Sequence, residues 1–92
     1  MKVILSPRAL RDLEAIHKYI SKDSVGRAEE MVARVLRRTM QLADFPHSGR
    51  RVQEWRIDNF REVIEPPYRV VYRIKGEAIH IVAVVHSSRR LR

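Results

Sequence analysis

Cysteine is absent from the 92 residues, which rules out a disulfide framework and a thiolate zinc site and removes any argument for an oxidising compartment. No apolar run approaches the roughly 20 residues needed to span a bilayer. The opening Met1-Lys2-Val3-Ile4-Leu5 runs directly into Ser6-Pro7-Arg8, too short for a signal-peptide core. The cytoplasm is the expected location. Length is also limiting, because a chain of this size buries only roughly 60–70% of its unfolded surface, enough for one core and a single domain over residues 1–92. Acidic residues are scarce: 11 stand against 19 Lys plus Arg, a net charge of +8 with a pI near 10.8. Such a surface attracts polyanions, whether nucleic acid, a ribosome or an acidic protein segment. Arg dominates the cations, and its planar fork favours bidentate phosphate or carboxylate contacts.

The last third of the chain is the most structured in its patterning. Gly76-Glu77 lies between two runs rich in Val, Ile and Tyr, and Gly as the first of two loop residues suits a type II′ hairpin turn. That turn predicts Lys75 opposite Ala78, Arg73 opposite His80, Val71 opposite Val82 and Arg69 opposite Val84. Period-2 alternation then puts Val70, Tyr72, Ile74, Ile79, Ile81, Ala83 and Val85 on one apolar face. Arg69, Arg73, His80 and His86 fall on the other, with His86 diagonal to Arg69.

Upstream, Lys2 to Leu5 reads as a short strand. Ser6-Pro7 is a helix start, with Ser as N-cap and Pro at the first position. Leu10, Leu13, Ile16 and Ile20 mark one apolar helical stripe. Residues 21–26 interrupt it, and a second stripe follows through Val25, Ala28, Val32, Val35, Thr39 and Leu42, making an αα-hairpin. Arg27, Arg34, Arg37 and Arg38 on the second helix admit two readings, a solvated face partly paired with Glu30 or a docking face for an acidic partner. Residues 45–58 read as a loop in which Arg50, Arg51 and Arg56 surround Trp55; the Trp either caps the core or stacks on a base beside phosphate-binding arginines. Phe60 to Glu65 is a further strand, separated from the hairpin by Pro66-Pro67. The expected fold is α+β: an N-terminal strand, a helical hairpin covering one sheet face, then a three-stranded antiparallel meander, with the first strand on one edge.

The chain resembles the RelE/ParE superfamily of toxins from type II toxin–antitoxin modules. The resemblance covers nearly the whole length and rests on the element order, Phe45-Pro46-His47-Ser48-Gly49, Tyr68-Arg69-Val70-Val71-Tyr72-Arg73-Ile74, and Val84-Val85-His86-Ser87-Ser88-Arg89. It implies a growth-inhibiting toxin of the plasmid-stabilising kind, neutralised by a cognate antitoxin. ParE-like members poison DNA gyrase, whereas RelE-like and YoeB-like members are mRNA interferases that cleave in the ribosomal A site. In the nuclease branch Arg69 matches the arginine at the scissile phosphate and His86 the C-terminal acid/base histidine of a metal-independent, cofactor-free reaction. This chain carries neither the C-terminal tyrosines nor the lysine cluster of that branch. Its ending His86-Ser87-Ser88-Arg89 and its paired prolines look like ParE-like sequences, and the reading leans that way.

The resemblance also implies an antitoxin with an acidic, partly disordered tail, expected on the helices at Leu13, His17, Arg34 and Arg38, with operator DNA contacted through the antitoxin. Arg50, Arg51, Arg56, Arg73, Arg89 and Arg90 are candidate contacts to nucleic acid or the target. For Arg69 a salt bridge to Glu62 or Glu65 is the competing account. His80 reads as a sheet residue opposite Arg73, His47 as part of a turn and His17 as a core-edge residue. No pair of these has the spacing of a metal site.

Overall fold

The computed structural model describes residues 1–55 and 59–91. The elements are β1 (Lys2–Leu5), α1 (Pro7–Ser21), α2 (Val25–Met40), a 3₁₀ turn (Gln41–Ala43), β2 (Arg50–Arg51), β3 (Phe60–Glu65), β4 (Tyr68–Lys75) and β5 (Ala78–His86). They form one five-stranded sheet in the order β1-β5-β4-β3-β2, with β1 parallel to β5 and every other pairing antiparallel. The α+β expectation is borne out. The two-residue β2 is an addition, since residues 45–58 read as loop; Arg50 and Arg51 pair with Glu62 and Arg61 of β3. No helix among the described residues is long and apolar enough to cross a membrane.

Local chemistry accounts for both helix starts. The Ser6 hydroxyl accepts from the Ala9 N–H at 3.0 Å with Pro7 following, and Ser24 accepts from Arg27 N–H at 3.2 Å; each satisfies a backbone donor that has no partner within its helix. In α1 the buried positions are Ala9, Leu13 and Ile16, while Leu10, read as part of the stripe, is 47% exposed. In α2 they are Ala28, Val35 and Thr39, and Val25 is exposed. The helices pack on the sheet face made by Val63, Tyr68, Val70, Tyr72, Ile79, Ile81 and Val84.

The hairpin turn is as expected: Gly76 has φ +62° and Lys75 pairs with Ala78. Only Gly adopts that conformation without steric cost. The register holds through Tyr72 opposite Ile81 and then shifts by one residue, giving Val71 opposite Ala83, Val70 opposite Val84, Arg69 opposite Val85 and Tyr68 opposite His86. Val82 is the extra residue of a β-bulge. The expected pairs Val71–Val82 and Arg69–Val84 are therefore corrected, and every later residue of β5 changes face. Val84 joins the helix-side core, whereas Ala83 and Val85 join Val52, Val71 and Leu91 in a second apolar cluster on the opposite face.

Two groups at the start of the helical layer hold the bulge. Ser6 donates its backbone N–H to Ile81 O and its hydroxyl to Val82 O, both at 3.0 Å. The Asp12 carboxylate accepts from Val84 N–H at 2.9 Å. Polar groups freed where the ladder breaks thus find partners on α1 and its cap.

Candidate functional site

The face away from the helices is not bare. The 52–55 loop and residues 89–91 fold over its centre, with Trp55 edge-on to Phe60 (centroids 4.8 Å, 82°) and Leu91 only 7% exposed. The competing accounts of Trp55 resolve toward a cap on this second cluster.

Arg69 lies at the middle of the same face, 6% exposed. Its Nε donates to Glu62 Oε1 at 2.7 Å; Nη1 and Nη2 reach the two oxygens of Glu54 at 2.8 and 2.9 Å; Nη1 also donates to the Arg89 carbonyl at 3.1 Å. All three guanidinium nitrogens are engaged. Glu62 in turn accepts from Arg50 Nε at 2.8 Å, and Glu54 from the Leu91 N–H at 3.1 Å. The bidentate bond to Arg69, helped by the Leu91 N–H, holds the Glu54 carboxyl down at about 2, against the opposing effect of burial. The same bond pushes the Arg69 pKa upward. No buried side-chain polar atom among the described residues is left without a partner.

Beside this network opens a cavity of about 520 Å³ lined by Arg50, Glu54, Glu62, Arg69, Arg89 and Arg90 among others. Arg89 and Arg90 are exposed at its rim.

His86 is elsewhere. Because of the bulge it sits on the helix side, edge-on to Tyr68 with ring centroids 5.8 Å apart. It lines a second groove of about 700 Å³ with Asp12, Ile16, Tyr19 and Met31, which meets the first cavity at Ser88 and Arg89. Its Nδ1 accepts from Ser88 N–H at 3.1 Å and lies 2.7 Å from the Ser88 hydroxyl. The expected diagonal contact between Arg69 and His86 is therefore corrected: the two point to opposite faces.

The other candidates are dispersed. Arg50 is paired with Glu62, and Arg73 stacks over the Phe60 ring at 5.8 Å. Arg51 is exposed on the edge strand, and Arg56 lies outside the described residues. On the helices, Arg34 pairs with Glu65 at 3.0 Å and Arg38 donates to Gln41 at 3.1 Å. His17 is half-buried. Leu13, expected to meet the antitoxin, is instead a core side chain 7% exposed, because α1 turns it onto the sheet. Among the described residues no His, Asp and Glu group is arranged to hold a metal.

Of the two partners the sequence offered for Arg69, Glu62 and Glu65, the structure selects Glu62, and Glu54 was not among them. Its only signal was an acid set among the arginines of the 50–56 segment. No spacing rule links position 54 to position 69.

A family model described as the ParE toxin of type II toxin–antitoxin systems, parDE, matches residues 3–91. The chain belongs to the ParE toxin family. Toxin RelE2 of Caulobacter vibrioides is 35% identical to this ParE-family chain over 89 residues, 96% of it and 97% of the relative. Among solved structures, a chain of the chromosomal ParDE system of P. aeruginosa superposes with TM-score 0.78 at 21% identity, covering 94% of this chain and 95% of that one. A chain of the RelBE2 toxin–antitoxin complex of Mycobacterium tuberculosis gives TM-score 0.66 at 23% identity, covering 92% and 95%. These likenesses show a fold shared over nearly the whole chain.

Proposed function

We propose that this ParE-family toxin arrests growth by binding DNA gyrase and carries no ribonuclease activity of its own. The observation behind this reading is the state of Arg69. A phosphate-binding cation in a nuclease needs free donors aimed at the developing charge, and here every guanidinium nitrogen is spent on Glu54, Glu62 or the Arg89 carbonyl. The acid/base candidate is on the other face, so a 2′-hydroxyl and a scissile phosphate held near Arg69 would be out of reach of His86. What remains exposed is a set of arginines without an assembled proton-transfer pair, which suits binding.

Neutralisation follows the same logic. The toxins it resembles in structure come from complexes named for toxin and antitoxin, and a cognate antitoxin with an acidic tail, disordered until bound, would complement a chain of net charge +8. His17, Arg34 and Arg38 are the helix-face contacts proposed for it. Operator DNA would be contacted through the antitoxin.

The test is to add the purified chain to gyrase with supercoiled plasmid and ATP, and in parallel to map mRNA ends after brief expression. Trapped double-strand cleavage and an intact message are expected, both unchanged by His86→Ala. Codon-spaced mRNA cleavage that disappears with His86→Ala, and no effect on gyrase, would overturn the proposal in favour of the RelE/YoeB-like alternative.

A further inference from the structure

Residues 87–91 form no helix or strand, yet they are ordered by a defined set of contacts. Ser87 N–H donates to Pro67 O at 2.8 Å and Arg89 N–H to His86 O at 2.9 Å, both continuing from the strand end. Beyond that point the backbone is held from across the sheet. Arg69 Nη1 takes the Arg89 carbonyl, Glu54 Oε2 takes the Leu91 N–H, and the Leu91 side chain is buried with Val52, Val71, Ala83 and Val85. Glu54 thus bonds Arg69 on β4 and Leu91 in the tail with one carboxylate. Between those fixed points stand Arg89 and Arg90, exposed at the cavity rim, with no salt bridge to either among the described residues.

We infer that Glu54 is a positioning residue: with Arg69 it clasps the tail so that Arg89 and Arg90 are presented as a fixed pair of cations to an acidic surface of the toxin's protein target. Three features favour this over simple packing. Arg69 spends a donor on a main-chain carbonyl of the tail, a bond that orders the backbone between the two cations. Leu91 anchors the far end, so the exposed pair is pinned on both sides. Free arginine side chains on a frayed tail would lose conformational freedom on binding, and fixing their backbone beforehand reduces that loss. The carboxylate partner follows from the two exposed guanidinium forks, since Glu54 and Glu62, the acids that line the cavity, are engaged by Arg69 and Arg50. This inference rests on the binding reading for its last step alone, because the order of the tail can be measured without any target.

The experiment compares the full chain with Glu54→Ala and with Arg89→Ala/Arg90→Ala by amide hydrogen exchange and by inhibition of gyrase. In Glu54→Ala the Leu91 amide should exchange about tenfold faster or more, as expected on losing an acceptor that is charged, while Val70 and Ile81 keep their protection. Both variants should need about tenfold more protein for half inhibition, a shift in proportion to losing charge-assisted contacts. The double arginine variant should keep its tail protected. Unchanged exchange at Leu91 in Glu54→Ala would overturn the clasp, and a loosened tail with undiminished inhibition would overturn the positioning role. Should Glu54→Ala fail to fold, Leu91→Ala releases the same segment from its apolar end; inhibition at the wild-type level by that variant with a mobile tail would equally defeat the proposal. If the native chain leaves gyrase untouched, the proposed target falls, and the exchange data still decide the clasp.

Discussion

Tyr72 and Gly49 are bound to each other so closely that no room is left for a side chain at position 49. The Gly49 N–H donates to the Tyr72 hydroxyl at 2.9 Å, the same hydroxyl donates to the Pro46 carbonyl at 2.7 Å, and a Cβ on Gly49 would stand 2.6 Å from that oxygen. The phenol tip of β4 thereby fastens the loop that leads into β2. Burial of the ring raises the Tyr72 pKa, so the hydroxyl stays protonated as a donor. Tyr72→Phe leaves a buried N–H and a carbonyl without partners and should cost about 1–3 kcal/mol. Gly49→Ala should cost a similar ~1–3 kcal/mol through overpacking, since the Glu62 backbone oxygen at 2.7 Å closes the other side. Thermal unfolding of the two variants checks both.

Arg69→Ala is expected to destabilise the fold by roughly 3 kcal/mol or more, because it leaves Glu62, a fully buried carboxylate, with Arg50 as its remaining ion-pair partner among the described residues. Loss of toxicity in that variant would accompany loss of folded protein, so it would not identify a catalytic group. Chemical denaturation alongside the toxicity assay separates the two effects. A variant as stable as wild type would contradict the structural role.

Acid should act through Glu54. Its folded pKa is about 2, below the ordinary carboxylate value of 4.5, so the pair with Arg69 contributes stability above the unfolded pKa and loses it as pH falls toward the folded one. The window is roughly pH 5 to 2. Unfolding free energy measured across that window should decline for the wild type and decline less steeply for Glu54→Gln, which does not titrate there. Parallel slopes would mean that other carboxylates govern the acid limb.

Asp12→Ala should expose the weak point of the sheet. The Val84 N–H at the bulge has the Asp12 carboxylate as its partner, and removing it leaves a partly buried donor unpaired at a cost of about 1–3 kcal/mol. Asp12→Asn retains an acceptor and should cost less. Exchange of the Val84 amide, faster in the first variant than in the second, is the measurement; equal protection in all three proteins would show that the ladder holds the bulge unaided.

The element order was legible because local rules act locally. Ser6-Pro7 and Ser24 start helices through bonds that close within one turn, Gly76 supplies the positive φ of the hairpin, and paired prolines end β3. Tyr72 was placed on the core face by simple alternation, and a bridge from Arg69 to Glu62 or Glu65 by adjacency of their strands. The bulge was not legible. Val82-Ala83-Val84-Val85 is apolar without a break, so period-2 patterning has no polar residue by which to detect a slip of one. Glu54 was missed for a related reason: a loop residue has no period, and its partners Arg69 and Leu91 are distant in sequence.

Fold class, the cap of the first helix, turn type and the excess of positive charge were thus determined by the sequence alone, since each depends on neighbours within a few residues or on composition. Which face His86 occupies, and whether Arg69 is free, were decided only in the tertiary structure. The first follows from Ser6 and Asp12 gripping β5 at Val82 and Val84, the second from a loop and a tail that close over β4 and place Glu54 between two residues the chain order keeps far apart.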